Sequence, residues 1–320
     1  GVLCVRRQDY AAAQACFEQA LRLWREMGHR YGEGVILNNL GNLHLAQNDY
    51  ATAQDFYEQA LQLRRETGHR HGEGVVLNNL GDVARRQGDE AAARRYFQQS
   101  LRVCREIGDR EGEASGLSNL GLVALGLGDY PAAKSCYELA LEIRREMGHR
   151  QGEGIALNNL GDVALHLGDY GTAKRYYHRF LAICREIGRK TLEGYALTNL
   201  GHALTGLGEL TEAIRVYQQA LRLRREAGQH ILAMDTLAGL IRVYLAQGEL
   251  NQVETLVEDI LIYLEMNPLD GTDDPFWVYL TCYHGLAAIQ DGRAPAFLDR
   301  AQQLLRDRAV KISDESLRRS

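Results

Sequence analysis

No run of 18 apolar residues occurs anywhere in the chain, so no membrane-spanning helix is expected. The first residues carry no basic, apolar and small-residue pattern of the secretory kind. Cysteine is sparse. Cys4, Cys16, Cys104, Cys136, Cys184 and Cys282 contain no C-x-x-C pair, which argues against a disulfide framework and for a reducing cytoplasm. An excess of one charge is lacking as well. The 37 basic and 42 acidic residues leave a net −5, too mild and too evenly spread for nucleic acid to be the main partner.

The signatures of common catalytic sites are also missing. There is no G-x-x-x-x-G-K-[ST], no H-E-x-x-H and no G-x-S-x-G, so no enzyme activity is expected. Gly32-Glu33-Gly34 is half of a dinucleotide loop at most, and it recurs at 72–74 and 152–154 without a third glycine. His29, His69 and His149 occupy one position in successive units, about 10 Å or more apart at helix-packing distance and too far to share a metal. His69 and His71 are the nearest pair. The acids of Asp270-Gly271-Thr272-Asp273-Asp274 lack the downstream Glu of a calcium loop and read as capping residues. No metal and no cofactor is expected.

What the chain has is a period. Asn38-Asn39-Leu40-Gly41 returns at 78–81 and 158–161, and Ser118-Asn119-Leu120-Gly121 and Thr198-Asn199-Leu200-Gly201 fill the same 40-residue frame. A fixed period of this size means an array of supersecondary units whose neighbours bury each other's faces. In residues 31–70, Leu37, Leu40, Leu43 and Leu45 give one helical face, ending near Gln47. Asn48-Asp49-Tyr50 makes the turn, matched by Gly88-Asp89, Gly128-Asp129, Gly168-Asp169, Gly208-Glu209 and Gly248-Glu249. Glycine there can end one helix left-handed, and the acid can cap the next. The second helix carries Ala53, Phe56, Tyr57, Ala60, Leu61 and Leu63 and stops near Thr67-Gly68.

Leu40-Gly41, Ala53, Tyr57 and Ala60 have the spacing of the tetratricopeptide repeat, and the set recurs through Gly201, Ala213, Tyr217 and Ala220. The chain therefore resembles that superfamily over roughly residues 1–266. The family unit is 34 residues. The excess of 40 − 34 = 6 residues resembles the longer subtype of kinesin light chains and Pins-like scaffolds. The usual tryptophan is replaced by Leu37, Leu77, Leu117, Leu157 and Leu197, and the usual proline after the second helix is absent. The resemblance implies an all-α, right-handed superhelical solenoid of antiparallel helix pairs.

The expected organisation is an array over 1–266 with a truncated first and degenerate last repeat, a loop over 267–274, a capping helix pair over 275–309 and a charged tail over 310–320. Gly1 aligns with Gly41, and Val2, Leu3 and Val5 form a raw apolar edge, so the chain reads as part of a longer protein. The stretch from Pro275 resembles the ends of bacterial multidomain regulators, including those of the STAND type.

In tetratricopeptide arrays the first helix of each pair lines the concave face. The resemblance then implies that Asn39, Asn79, Asn119, Asn159 and Asn199 hold the backbone or terminal carboxylate of a bound peptide. A carboxamide offers both donor and acceptor, so it pairs with an extended chain regardless of sequence. The alternative is that these Asn residues bridge neighbouring helices. Specificity would come from Asn42, Asp82, Leu122, Asp162 and His202 one turn on, from Val35, Val75, Ser115, Ile155 and Tyr195 one turn before, and from Arg86 and His166 further along. This lining favours a partly apolar, neutral or basic peptide or protein segment, which the parent chain itself could supply. Along the edge, Arg30/Glu33, Arg70/Glu73, Arg110/Glu113 and Arg150/Glu153, with the doublets Arg64-Arg65, Arg144-Arg145 and Arg224-Arg225, predict an inter-repeat ion-pair ladder. The leading expectation is a protein-interaction solenoid serving as sensor or scaffold of a bacterial signalling protein. The rivals are a spacer that self-associates weakly end to end, and an enzyme subunit whose chemistry lies in other domains.

Overall fold

The computed structural model describes residues 10–265, 267, 269 and 275–311. The Val2–Val5 edge, the acids of 270–274 and the tail from 312 lie outside the described residues. Among those described there are fifteen α-helices and no strand. The chain divides into two compact units, one running to Ile143 and one from Arg144 to Val310.

The first unit contains α1 (Tyr10–Glu26), α2 (Arg30–Ala46), α3 (Tyr50–Glu66), α4 (Arg70–Gln87), α5 (Glu90–Ile107), α6 (Arg110–Gly126) and most of α7 (Tyr130–Glu146). Each helix from α1 to α5 packs on the next, and α4 also touches α6. The turn between first and second helix forms as its residues dictate. Gly88 takes φ 83°, and Asn48, where other copies have glycine, takes φ 61°, a conformation asparagine tolerates better than most side chains. The following acid caps the next helix. Asp49 accepts from the Thr52 N–H and Asp89 from the Ala92 N–H.

The core is built on one contact per pair. A Cβ on Gly41 would lie 2.5 Å from the Tyr57 ring, and on Gly81 2.5 Å from the Phe97 ring. The glycine of each Leu-Gly therefore exists to seat the aromatic of the second helix face-on against bare backbone. Ala53, Ala60 and Tyr57 are fully buried, as are Ala93 and Ala133.

The second unit contains α8 (Arg150–His166), α9 (Tyr170–Glu186), α10 (Lys190–Gly206), α11 (Leu210–Glu226), α12 (His230–Gln247), α13 (Leu250–Leu264), α14 (Pro275–Ala288) and α15 (Ala294–Lys311). Here too α8 packs on α9, α9 on α10, and onward to α13. Asp169 caps α9 through the Thr172 N–H. Glu209 and Glu249 do not cap with their side chains, which corrects the expectation for these two turns. The extra methylene carries the carboxylate past the N–H groups, and Glu209 binds Lys174 instead, at 2.6 Å. The α14 helix covers α12 and α13. Its Gly285 lets the backbone approach Val257, to which a Cβ would come within 2.7 Å.

Candidate interaction face

The two asparagines of the recurrent tetrapeptide do different jobs. In the first unit Asn79 donates from Nδ2 to Asn38 Oδ1 at 2.9 Å, and Asn119 to Asn78 Oδ1 at 2.7 Å. In the second unit Asn199 donates to Asn158 Oδ1 at 2.9 Å. The second asparagine of one repeat thus reaches back to the first asparagine of the repeat before, an offset of 41 residues. All of these side chains are partly exposed. Where the first position changes, the link changes. Ser118 turns its hydroxyl back to the Ala114 carbonyl, and the buried Thr198 bonds Thr236 at 2.9 Å. The bridging of neighbouring helices that the sequence allowed is present. It leaves the oxygen of each donating amide and the second N–H of Asn119 and Asn199, whereas Asn79 Nδ2 also reaches Asn42 Oδ1 at 3.5 Å.

The next position along serves the core aromatic. Tyr57 donates its hydroxyl to Asn42 Oδ1 at 2.7 Å, Tyr177 to Asp162 Oδ1 at 2.7 Å, and Tyr217 pairs with His202 Nδ1 at 2.7 Å. Phe97 has no hydroxyl, and in that copy Asp82 binds Arg85 and Arg86 at 2.7 and 2.9 Å. Burial lifts the Tyr177 hydroxyl, further raised by the Asp162 charge, and lifts Tyr217 to about 12. Burial, with Arg242 and Arg224 nearby, pushes His202 down to about 3, so its imidazole is neutral and accepts. For Asp82, burial opposes ionisation, but the bonds from Arg85 and Arg86 outweigh it and hold the carboxyl below its ordinary value. Asn42 and His202 are therefore tied to the fold by one acceptor atom each, and Asp162 by both oxygens, its Oδ2 accepting from Asn158 Nδ2 at 3.1 Å.

The remaining expected residues fall on the same flank of the first helices. Val35, Ile155 and Tyr195 are half-buried, Val75, Leu122 and His166 are exposed, and Ser115 Oγ reaches Glu111 at 3.4 Å. Arg86 is held by Asp82. Tyr195 lies under Arg224, whose guanidinium carbon is 4.8 Å from the ring centroid. Asn79 meets Asn38 and Asn42 in the first unit, and Asn158 meets Asn199 and Asp162 in the second, whereas Asn39 and Asn159 make no such side-chain link among the described residues.

The arginine edge forms as predicted, with one division of labour that the sequence hid. Arg65 and Arg70 clasp Glu73, and Arg145 and Arg150 clasp Glu153. Arg25, Arg105 and Arg185 reach Glu33, Glu113 and Glu193. Arg30, Arg70 and Arg150 also bind Glu66, Glu106 and Glu186. The first arginine of each doublet turns inward. Arg64, Arg144 and Arg224 are 5%, 6% and 1% exposed. Arg64 lies over the Tyr31 ring at 4.8 Å and Arg144 donates to the Gly152 carbonyl. The same repeat position holds Cys104 and Cys184, both buried, so it is a slot for whatever fills it. His29 and His69, read from sequence only as an inter-repeat row, are helix N-caps whose Nδ1 accepts from the Gly32 and Gly72 N–H groups. Among the described residues no three His, Cys, Asp or Glu side chains gather as metal ligands, and no helix is long and apolar enough to cross a membrane.

Sequence reasoning missed Asn38, Asn78 and Asn158 as acceptors and the tyrosine hydroxyls as claimants on the next position. The doubled asparagine and the coincidence of Tyr with a polar residue 15 positions earlier were the available signals.

A family model described as tetratricopeptide repeat matches residues 1–66, 72–146, 152–226 and 192–261, and a second of the same description matches 118–185. A STAND protein with a tetratricopeptide repeat sensor from Pyrococcus horikoshii is similar in structure. It has 19% identity and a TM-score of 0.65 over 89% of this chain and 43% of that one. The apo quorum sensor NprR from B. thuringiensis is similar at 15% identity and a TM-score of 0.69, over 95% of this chain and 84% of that one. A Rap protein in complex with Competence and Sporulation Factor is similar at 17% identity and a TM-score of 0.66, over 88% and 76%. At these identities the likeness is one of fold. No curated protein matches the sequence.

Proposed function

Because the chain belongs to the tetratricopeptide repeat family, we propose that it holds a peptide or protein segment against the asparagine-bearing flank of its first helices. The observation that carries this reading is the asparagine ladder itself. Each bridge fixes a partly exposed carboxamide in orientation and leaves its oxygen, and at Asn119 and Asn199 also one N–H, for a ligand. Groups fixed before a ligand arrives lose little freedom on binding it, and a regular row of amide donors and acceptors suits the main chain of an extended segment. In the second unit Asp162 puts negative charge on this flank and disfavours acidic segments, while in the first the charge of Asp82 is matched by Arg85 and Arg86. No reactive constellation accompanies them, so the role is recognition rather than turnover. The natural setting is a sensor or scaffold region of a larger cytoplasmic bacterial signalling protein, a role supported by likeness to a STAND protein whose tetratricopeptide repeats are a sensor. The segment belongs to a partner or to the parent chain.

The test is a synthetic peptide array probed with the purified chain. Peptides that bind are re-measured by calorimetry against an Asn79→Ala/Asn119→Ala variant whose helical content is verified by circular dichroism. The reading expects at least tenfold weaker binding and unchanged helicity. Undiminished binding by the variant refutes it.

A further inference from the structure

We propose that a recess on the other flank of α4 is a second binding site, for an acidic polypeptide segment. The recess has a volume of about 460 Å3 and is walled by the end of α3, the first half of α4 and the outer stripe of α5, all within the first unit. Four arginines line it, Arg65, Arg70, Arg95 and Arg102, against two acids, Glu73 and Glu106. Both acids are already engaged. Glu73 receives Arg65 and Arg70, and Glu106 receives Arg70. Arg95 and Arg102 are exposed and enter no ion pair among the described residues. This positive surplus stands in a chain whose net charge is −5.

Nothing in the repeat architecture asks for it. At the positions of Arg95 and Arg102, α3 has Asp55 and Gln62, α7 has Ser135 and Glu142, α9 has Arg175 and Ala182, and only α11 repeats the pair, as Arg215 and Arg222. The helix pair packs equally well with acidic or neutral residues there. The site is also separate from the asparagine flank. Residues 73 and 77 line the recess, and residues 75 and 79 lie two positions on, about 200° around a helix that turns 100° per residue. The inference therefore stands or falls independently of the function proposed above.

The spacing of the arginines selects the ligand. Arg95 and Arg102 are seven residues apart on α5, which at 1.5 Å per residue is about 10 Å. Two long side chains so spaced can each take a separate carboxylate. That spacing matches carboxylates three residues apart on a polyproline II-like extended chain, which turns once in three residues and rises about 3.1 Å per residue. Between the two arginines, Gln98 and Gln99 line the recess with amide groups that can serve the ligand's main chain.

The probe is a fluorescein-labelled peptide, Glu-Ser-Gly-Glu-Ser-Gly-Glu, titrated into the full chain by fluorescence polarisation. Its Gln-substituted counterpart, an Arg95→Gln/Arg102→Gln variant and an Asn79→Ala variant are run beside it, with circular dichroism as the folding check. The glutamate peptide should bind the parent chain, and the Gln peptide or the arginine variant should weaken binding at least tenfold. The Asn79→Ala variant should bind as the parent does. Equal binding by the arginine variant, or loss of binding by Asn79→Ala, overturns the proposal. So does displacement of the peptide by equimolar inorganic phosphate, which would mark a small-anion site.

Discussion

One residue position, the one after each Leu-Gly, ties the core to the exposed flank. Its acceptor takes the hydroxyl of the interior tyrosine, and its chemistry varies from Asn42 to Asp162 to His202. The variation has a consequence for pH. In the unfolded chain a histidine titrates near 6.5, whereas folded His202 is held down to about 3. Between these values the unfolded state binds the proton and the folded state does not, so stability falls as pH drops below about 6.5 and the loss is complete near 3. His202→Asn recreates the Asn42–Tyr57 pair and removes that dependence. Urea midpoints at pH 7 and pH 4.5 should show the parent losing about 2 kcal/mol more than the variant. Equal losses would mean that His202 is protonated without penalty. The buried Arg64 gives a second test at this scale. Its Nε and Nη1 have no hydrogen-bond partner among the described residues, and the equivalent slot in the next repeat holds Cys104. Replacing a poorly paired buried charge with an apolar group of similar length is commonly neutral or stabilising. Arg64→Met should therefore leave the urea midpoint unchanged or raise it by about 1 kcal/mol; a large drop would assign Arg64 a stabilising role.

The helix boundaries follow turn chemistry that is legible in the sequence. Gly-Asp ends one helix and caps the next, and the second-helix stop near Thr67-Gly68 falls where α3 ends. The cap distinguishes Asp from Glu, which composition alone did not reveal. Asp89→Ala should cost about 1 kcal/mol, while Glu249→Ala should cost a few tenths, because only Asp89 accepts from the backbone. Matching losses in urea would remove the distinction. Ala133 is fully buried. Ala133→Arg should destabilise by about 3–5 kcal/mol, far more than Asn159→Ala on the open flank, and the two urea midpoints decide it. The elements were readable because helical period, glycine breaks and small residues all recur at 40 residues. The side-chain bridges were not, because an Asn–Asn pair 41 residues apart depends on how one repeat is rotated against the next. No local pattern encodes that rotation. The same reason hid the split of each arginine doublet. Arg64 and Arg65 are adjacent in sequence but about 100° apart around the helix, one over a glycine and a tyrosine ring, the other at the ion-paired edge.

At the scale of the molecule, both proposed contacts lie on exposed surfaces of the repeats. The asparagine flank offers oriented amides with two carboxylates nearby, and the recess beside α5 offers surplus arginine. A segment lying along several repeats contacts each weakly, and its affinity sums over them, as befits an array whose repeats contact only their neighbours. Charge then sorts the ligands. Asp82→Lys should shift the peptides selected by the asparagine flank toward acidic ones without abolishing all binding, read as a changed ranking on the same peptide array. The central claim is that the oriented carboxamides make the contact. The most direct measurement is calorimetry of one array-selected peptide against the parent chain and Asn79→Ala/Asn119→Ala. The account predicts at least a tenfold loss of affinity at unchanged helical content; a variant that binds as tightly as the parent would contradict it.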